Sequence, residues 1–219
     1  MTQDFDPART ALHLIGYQNE YFSPEGALYS VVKEAVPRVL ANTSATLAGL
    51  RDSPVRLIST PIQFTQDYQE LVEPVGILKI IKEVGAFRAH SIGAQTLPMI
   101  RAYGSRILEV PGKRGLNAFS NTRLHSLLKK WQIRDVVLLG VVTSLCIEST
   151  GREAWESGYR VTILSRHSSR QRLFPGNALP LRGAYFARIQ QRVKPNLSRT
   201  ITARRFFPCM PRSSITAPC

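Results

Sequence analysis

The chain has 219 residues, of which 43% are hydrophobic, and a formal net charge of +14. This length is sufficient for one α/β domain with a hydrophobic core of its own. No apolar run approaches the length of a membrane span, and the polar N-terminus MTQDFDPART lacks the features of a signal peptide, so we expect no membrane association and a cytoplasmic location.

The basic charge is concentrated after Ser165. Residues 166–219 hold 11 of the 29 Lys and Arg residues and none of the 15 Asp and Glu residues. Globular segments of that length normally carry both signs of charge. We therefore predict one domain over residues 1–165 and a basic, Arg/Pro-rich tail over residues 166–219 that is non-native or disordered. A shifted reading frame and a genuine extension that binds nucleic acid through its basic and aromatic residues are the two accounts of this composition.

The apolar pattern predicts alternating strands and helices, and therefore an α/β, three-layer α-β-α domain with a parallel, Rossmann-like sheet. Strands are predicted at 11–15, 55–59, 106–110, 136–139 and 160–164. Helices are predicted at 31–50 and from a cap at Asn121 or Thr122 to Lys130, with a short polar helix or lid at 67–72 and an amphipathic turn at 77–82. Ligands of such sheets bind beyond the carboxyl ends of the strands.

Cys146 follows the fourth predicted strand, in the segment GVVTSLCIESTGREAWESGY. Thr143 or Ser144 can cap a helix there, and helical spacing continues until Gly158. Cys146 would then lie in the first helical turn, where free N–H groups and the helix dipole favour a nucleophilic thiolate. A single cysteine at a strand end is more commonly an inert buried residue. Cys209 and Cys219 add neither a disulfide framework nor a metal motif.

Three segments of the chain occur in an informative order. They are ALHLIGYQNEYFSPEGAL at 11–28, PGKRGLNAFSNTRLHSLL at 111–128 and the Cys146 segment. Together they resemble the isochorismatase-like cysteine hydrolases over about residues 8–165. The resemblance implies the fold of that family and a homo-oligomer. Because the likeness stops at Ser165, we expect the last strand and helix of the fold to be missing or replaced.

The resemblance also implies a catalytic Asp, Lys and Cys. Members of the family use the Asp to take the thiol proton, the Lys to pair with it and the Cys to attack a carbonyl or imine carbon. The lysine corresponds to Lys113, although a loop lysine is by itself usually solvated. The nucleophile corresponds to Cys146. The backbone N–H groups of Val142 and Cys146 would hold the oxyanion, with a cis peptide between Val141 and Val142.

The aspartate of the family pattern is absent. Its position is occupied by Gly16, in the segment LIGYQNE, and Glu20 is the nearest following acid. Loss of the general base predicts turnover lower by about 10²–10⁴. On the same reasoning, Gly16→Asp is expected to raise hydrolysis by about two orders of magnitude.

Two classes of function remain open. The first is a cysteine hydrolase of a small amide, carbamoyl, related C–N or vinyl-ether substrate, impaired by Gly16. The second is a catalytically inactive relative or a basic-tailed binding protein on the same fold. We expect no metal or other cofactor, because TPIQFTQDY lacks the histidine with which some relatives bind a metal. Candidate pocket walls are Phe22, Asn117, Phe119 and Trp155, although aromatic residues at such spacings more often belong to a core.

Overall fold

A computed structural model describes residues 6–168 together with 185–187 and 203–205. Five parallel strands form the body of one sheet, which is flanked by helices. In chain order the strands are β1 (Thr10–Ile15), β2 (Arg56–Thr60), β3 (Ile107–Glu109), β4 (Asp135–Gly140) and β5 (Arg160–Ser168). Their spatial order is β3-β2-β1-β4-β5. The predicted fold class and all five strands are confirmed, with boundaries that differ by a few residues.

The central strands are buried because both faces of the sheet are covered. All six residues of β1 are buried, as are the last five of β4. A strand buried on both faces carries a continuous apolar run, such as VVLL in β4. At the other end of β4, Asp135 accepts two hydrogen bonds from the Arg160 guanidinium at 2.6 and 2.5 Å, which ties β4 to β5. The core therefore lies along the middle of the sheet, and its carboxyl edge is left for the loops.

The helices differ more from the sequence-based prediction than the strands do. The four longer ones are α1 (Val36–Gly49), α2 (Gly76–Val84), α3 (Leu124–Lys130) and α4 (Glu148–Glu156). Short helical turns occur at Pro7–Arg9, Asn19–Phe22, Tyr29–Val32, Pro98–Arg101, Gly104–Arg106 and Thr143–Ile147.

The single helix predicted at 31–50 is wrong. The structure has a turn at Tyr29–Val32 and then a new helix from Val36, with Pro37 in its first turn. Proline is well placed there because it has no N–H to contribute, whereas inside a helix it would break the hydrogen-bond ladder.

Three smaller helix predictions also need correction. The segment 67–72 forms turns rather than a helix, while the amphipathic turn predicted at 77–82 is a full helix, α2. Helix α3 begins at Leu124, and neither Asn121 nor Thr122 is its N-cap. Thr122 instead accepts a hydrogen bond from the Leu124 N–H in the preceding turn. The composition of these short segments does not show whether each of them forms a turn or a helix.

Gln18 fixes the loop that follows β1. Its side-chain amide donates to the carbonyls of Ile62 and Ala94 at 2.8 and 2.7 Å, and its oxygen accepts from the Ile62 N–H at 2.8 Å. Because the side chain is buried, each of these bonds satisfies a group that water cannot reach. The loops after β1 and β2 are thereby held together at the carboxyl edge of the sheet.

The edge of the sheet beyond β5 holds two short strands from the tail. Residues Ala203–Arg205 form β7, which pairs antiparallel with β5, and Tyr185–Ala187 form β6, which pairs antiparallel with β7. Of the predicted tail over residues 166–219, the structure describes these six residues and the end of β5. The rest of the tail, with Cys209 and Cys219, lies outside the described residues. Within the described residues, no helix is long and apolar enough to cross a membrane.

Candidate active site

Cys146 lies directly beyond the carboxyl end of β4, in the turn Thr143–Ile147 that leads into α4. The turn is wider than an α-helical turn, since the Ile147 N–H donates to the Val142 carbonyl five residues earlier, at 3.3 Å. Its N-cap is Val142, so the predicted cap at Thr143 or Ser144 is wrong. The Cys146 side chain is completely buried and forms no disulfide.

The peptide bond between Val141 and Val142 is cis, as the sequence predicts. The carbonyl of Val142 accepts hydrogen bonds from the N–H groups of Leu145 and Ile147. Its own N–H has no acceptor among the described residues. An unpaired N–H beside a nucleophile is the kind of donor that can hold a developing oxyanion.

Lys113 reaches the same edge of the sheet from the segment after β3. Its backbone continues the parallel pairing beyond β2, in a bridge with Ile62, and its carbonyl accepts from the Gln63 N–H at 3.0 Å. The side chain is completely buried, and its ammonium nitrogen has no hydrogen-bond partner of good geometry among the described residues. Burial lowers the pKa of Lys113, and the nearby Cys146 thiolate raises it in opposition. The structure thus brings Lys113 and Cys146 together.

Gly16 borders this pair but leaves little space for a side chain. Its φ is +76°, and a Cβ built on it would lie 2.4 Å from the Val141 carbonyl oxygen. Contacts below 3.0 Å essentially never occur for a real Cβ, so an aspartate at this position requires the backbone to shift. The structure therefore opposes the simple expectation that Gly16→Asp restores a working base.

Glu20 does not take over the role of the missing aspartate. One carboxylate oxygen accepts from the Ala27 N–H at 2.9 Å, and the other accepts from the Phe87 N–H at 3.2 Å. A Cβ on Gly93 would lie 2.0 Å from the same carboxylate, which shows how tightly it is packed. Glu20 is a structural acid that fastens the loop after β1 to the segment around Phe87.

Tyr21 is a residue of this site that the sequence analysis missed. The side chain is buried against Phe87, with ring centroids 5.2 Å apart. Burial raises the pKa of its hydroxyl, and negative charge on Cys146 and on Glu20 raises it further. The sequence analysis had selected its neighbour Phe22, whose ring instead stacks on Tyr17 at 5.3 Å. Only the direction of each side chain separates these two candidates.

His13 is the second missed residue, on β1. Its Nε2 shares a hydrogen bond of 2.8 Å with the Thr60 hydroxyl, while Nδ1 is buried and has no partner among the described residues. Burial lowers the pKa of His13 to about 3, and the positive charge of Lys113 acts in the same direction. The ring is therefore neutral near pH 7. A histidine within a strand of apolar residues was the available signal in the sequence.

Asn117, Phe119 and Trp155 as pocket walls stay a prediction, and the structure gives their local contacts and exposure. The Asn117 side chain contacts Glu153 at 3.4 Å and accepts from the Phe119 N–H at 2.9 Å. Phe119 packs against His125 and Tyr159, with centroids 6.3 and 6.4 Å away. Trp155 is 49% exposed on α4. No group of three or more His, Cys, Asp or Glu side chains in the described part of the chain is arranged to hold a metal ion.

Comparison with known proteins identifies the family of the chain. The isochorismatase domain family matches residues 10–169. Ureidoacrylate amidohydrolase RutB of Pantoea ananatis is 27% identical over 174 residues, which cover 73% of this chain and 69% of that protein. Nicotinamidase 3 of Arabidopsis thaliana is 43% identical over 53 residues, only 24% of this chain and 27% of that protein.

A solved structure supports the fold independently. N-carbamoylsarcosine amidase from Thermoplasma acidophilum superposes with a TM-score of 0.61 at 18% identity, over 74% of this chain and 85% of that one. Because the family match covers most of the chain and the fold agrees, the chain belongs to the isochorismatase family.

Proposed function

We propose that this chain is a hydrolase that cleaves a C–N bond of a small amide or carbamoyl compound through a Cys146 thiolate. The observation that carries the proposal is the position of the completely buried Lys113 beside Cys146, at the carboxyl edge of a parallel sheet. In general, a cation beside a cysteine favours the thiolate, which is the reactive form of the side chain. The Val142 N–H would stabilise the oxyanion formed by attack.

The relatives suggest the substrates to test first. Ureidoacrylate, nicotinamide and N-carbamoylsarcosine are named by the proteins that this chain resembles. Each carries an amide or carbamoyl group, which a cysteine hydrolase opens by forming an acyl- or carbamoyl-enzyme. We expect release of ammonia or an amine from at least one of them.

The test combines labelling with turnover. Iodoacetamide at pH 7 should label Cys146 before Cys209 and Cys219, and Cys146→Ser should abolish hydrolysis of the panel. The matched control is Cys209→Ser, which should leave both the rate and the labelling of Cys146 unchanged. Equal labelling of all three cysteines, together with no hydrolysis of any probe, would contradict the proposal.

The competing proposal is an inactive relative that keeps the fold. The observation in its favour is Gly16, because the family's base is absent and the local backbone opposes its return. This account predicts that Cys146 is labelled no faster than a free thiol of ordinary reactivity. The same labelling experiment therefore separates the two functions.

A further inference from the structure

Among the residues that the structure describes, no carboxylate forms an ion pair with Lys113. All acidic side chains except Asp4 belong to residues 6–168, and residues 166–219 contain none. The ion pairs of the described residues involve Glu83, Glu70 and Asp135, and none of them includes Lys113. The positive charge of a Lys113 ammonium is therefore not balanced by any acid that the structure describes.

Neither Glu20 nor residue 16, the position of the family's aspartate, supplies an acid for Lys113. The carboxylate of Glu20 is held by the N–H groups of Ala27 and Phe87. Residue 16 has no side chain, and a Cβ there would collide with the Val141 carbonyl. Among the described residues, the site therefore contains the Lys113 amine and the Cys146 thiol but no aspartate beside them.

The groups that face Lys113 determine its state. An isolated ammonium in a buried site is costly, so the group tends to lose its proton unless an anion is adjacent. The Cys146 thiolate is the anion that raises the pKa of Lys113, while burial lowers the pKa of His13 to about 3 and raises that of Tyr21, so both of these side chains are neutral near pH 7. Transfer of one proton from the thiol to the amine would convert an amine–thiol pair into an ammonium–thiolate pair, both with zero net charge.

We propose that Lys113 is the general base and general acid of this site, in the place of the missing aspartate. This inference rests on the proposed hydrolase function and assigns its proton transfers. Buried lysines can serve as bases in this way because loss of the proton leaves a lone pair on Nζ.

The reaction balances with substrate and water alone. The amine of Lys113 takes the Cys146 proton, and the thiolate attacks the carbonyl carbon to form a C–S bond. The ammonium then protonates the leaving nitrogen as the C–N bond breaks, which returns Lys113 to the amine. A water molecule loses a proton to Lys113 as its oxygen attacks the thioester, and that proton restores the thiol when the C–S bond breaks.

The first test follows the Lys113 proton directly. Protein carrying ¹⁵N-lysine is titrated by NMR as the Cys146→Ser variant, in which no thiolate can form. In this variant the pKa of Lys113 should lie below about 10.4, the ordinary pKa of a lysine side chain. A Lys113 side chain that stays protonated at pH values above about 10.4 would overturn the proposal. This measurement needs no substrate. It therefore tests the protonation of Lys113 even if none of the probes is hydrolysed and the proposed function is refuted.

The second test asks whether Lys113 transfers protons or only supplies charge. Lys113→Ala should lower hydrolysis of the best probe by about 10²–10⁴. Added methylamine should restore part of the lost rate, and a series of primary amines should do so in the order of their basicity. Tetramethylammonium has the charge but no transferable proton, so it should restore nothing. Equal rescue by tetramethylammonium would reduce Lys113 to a fixed charge and overturn the assignment.

A folding control shows whether the added amines restore catalysis rather than the fold of the variant. Circular dichroism should show that Lys113→Ala is folded at the temperature of the assay. Should the variant fail to fold, the NMR titration of Cys146→Ser still decides between a titrating and a permanently charged Lys113.

Discussion

At the scale of single residues, His13 shows how burial of a titratable side chain makes the stability of the fold depend on pH. The ring is completely buried in β1, and its pKa falls from the ordinary 6.5 to about 3. Between these values the unfolded chain binds a proton that the folded chain does not. The stability that this group contributes is therefore fully present above pH 6.5 and is lost as the pH falls toward 3.

We expect this linkage to be measurable in urea. Lowering the pH from 7 to 5 should cost about 2 kcal/mol of unfolding free energy through His13 alone. His13→Gln should remove that part of the loss, whatever its effect at pH 7. The control is His90→Asn at an exposed position. A His13→Gln protein with the same pH dependence as the parent would contradict the prediction.

Gly16 carries the second residue-scale prediction. Gly16→Asp should lower the free energy of unfolding by about 2 kcal/mol or more, because the new Cβ meets the Val141 carbonyl oxygen in a left-handed backbone. Gly158→Asp is the matched control, since its φ of +88° is similar and nothing lies within 4 Å of the added atom. Chemical denaturation of both variants gives the comparison, and equal losses would show that the contact with Val141 is relieved without cost.

The sequence predicted part of this site and missed the rest for a physical reason. Lys113, Cys146 and the Val141–Val142 bond were predicted from the resemblance of three ordered segments to the family. Tyr21 and Phe22 are adjacent aromatic residues, and the sequence does not show which ring points toward Cys146. Asn117 and Trp155 were chosen by residue type, whereas their contacts depend on how α4 packs.

At the scale of elements, Arg106, which directly precedes β3, holds the connection between α1 and β2. Its guanidinium donates to the carbonyls of Leu50, Arg51, Ser53 and Val55 at 2.7 to 3.0 Å. Arg106 adds to the local bonds of this segment, in which the Leu50 carbonyl also accepts from the Ser53 N–H at 3.2 Å and from the Ser53 hydroxyl at 2.9 Å. A planar guanidinium can serve four acceptors at once, whereas an ammonium cannot span them.

Arg106→Lys should therefore destabilise the fold although it keeps the charge. We expect a loss of about 1–3 kcal/mol, the usual cost of charged hydrogen bonds left unmade. Arg101→Lys is the control, because Arg101 is exposed and makes a single long contact of 3.4 Å with Gln95. Thermal unfolding followed by circular dichroism measures both, and similar melting temperatures would refute the role of Arg106.

Strands were predicted more accurately than helices because their signal is local. Runs such as VVLL in β4 are apolar on both faces, and no other context changes that pattern. The break between Val32 and Val36 was missed because the apolar stripe continues through it, while the position of Pro37 decides where the helix restarts. Helix boundaries depend on caps and prolines as well as on periodicity.

At the scale of the whole molecule, the described core ends with β5. The buried apolar side chains that the structure describes extend from Ala11 to Leu164. The tail contributes backbone pairing to the edge of β5 at Thr162, Ile163 and Leu164. The described part of the core thus includes strands β1 to β5 and the helices that cover them.

Truncation after Ser168 tests this division. We expect the shortened protein to fold with a melting temperature within a few degrees of the full chain, because hydrophobic burial exceeds the contribution of one short edge strand. Its uncovered β5 edge should promote association, which sedimentation velocity would detect. A second truncation after Arg205 keeps β6 and β7 and should show less association. Failure of the 168-residue protein to fold would show that the tail completes the core.

The close approach of Gly16 to the Val141 carbonyl also has an evolutionary consequence. One nucleotide separates glycine and aspartate codons, so the lost acid is a single mutation away. With the present backbone, the aspartate Cβ would collide with the Val141 carbonyl oxygen before its carboxylate could contribute to catalysis. Restoration would require a prior change that moves Val141, and such dependence between neighbouring sites makes a loss hard to reverse. A lineage in this state would gain more readily from substitutions that improve proton transfer by Lys113 than from recovering the ancestral acid.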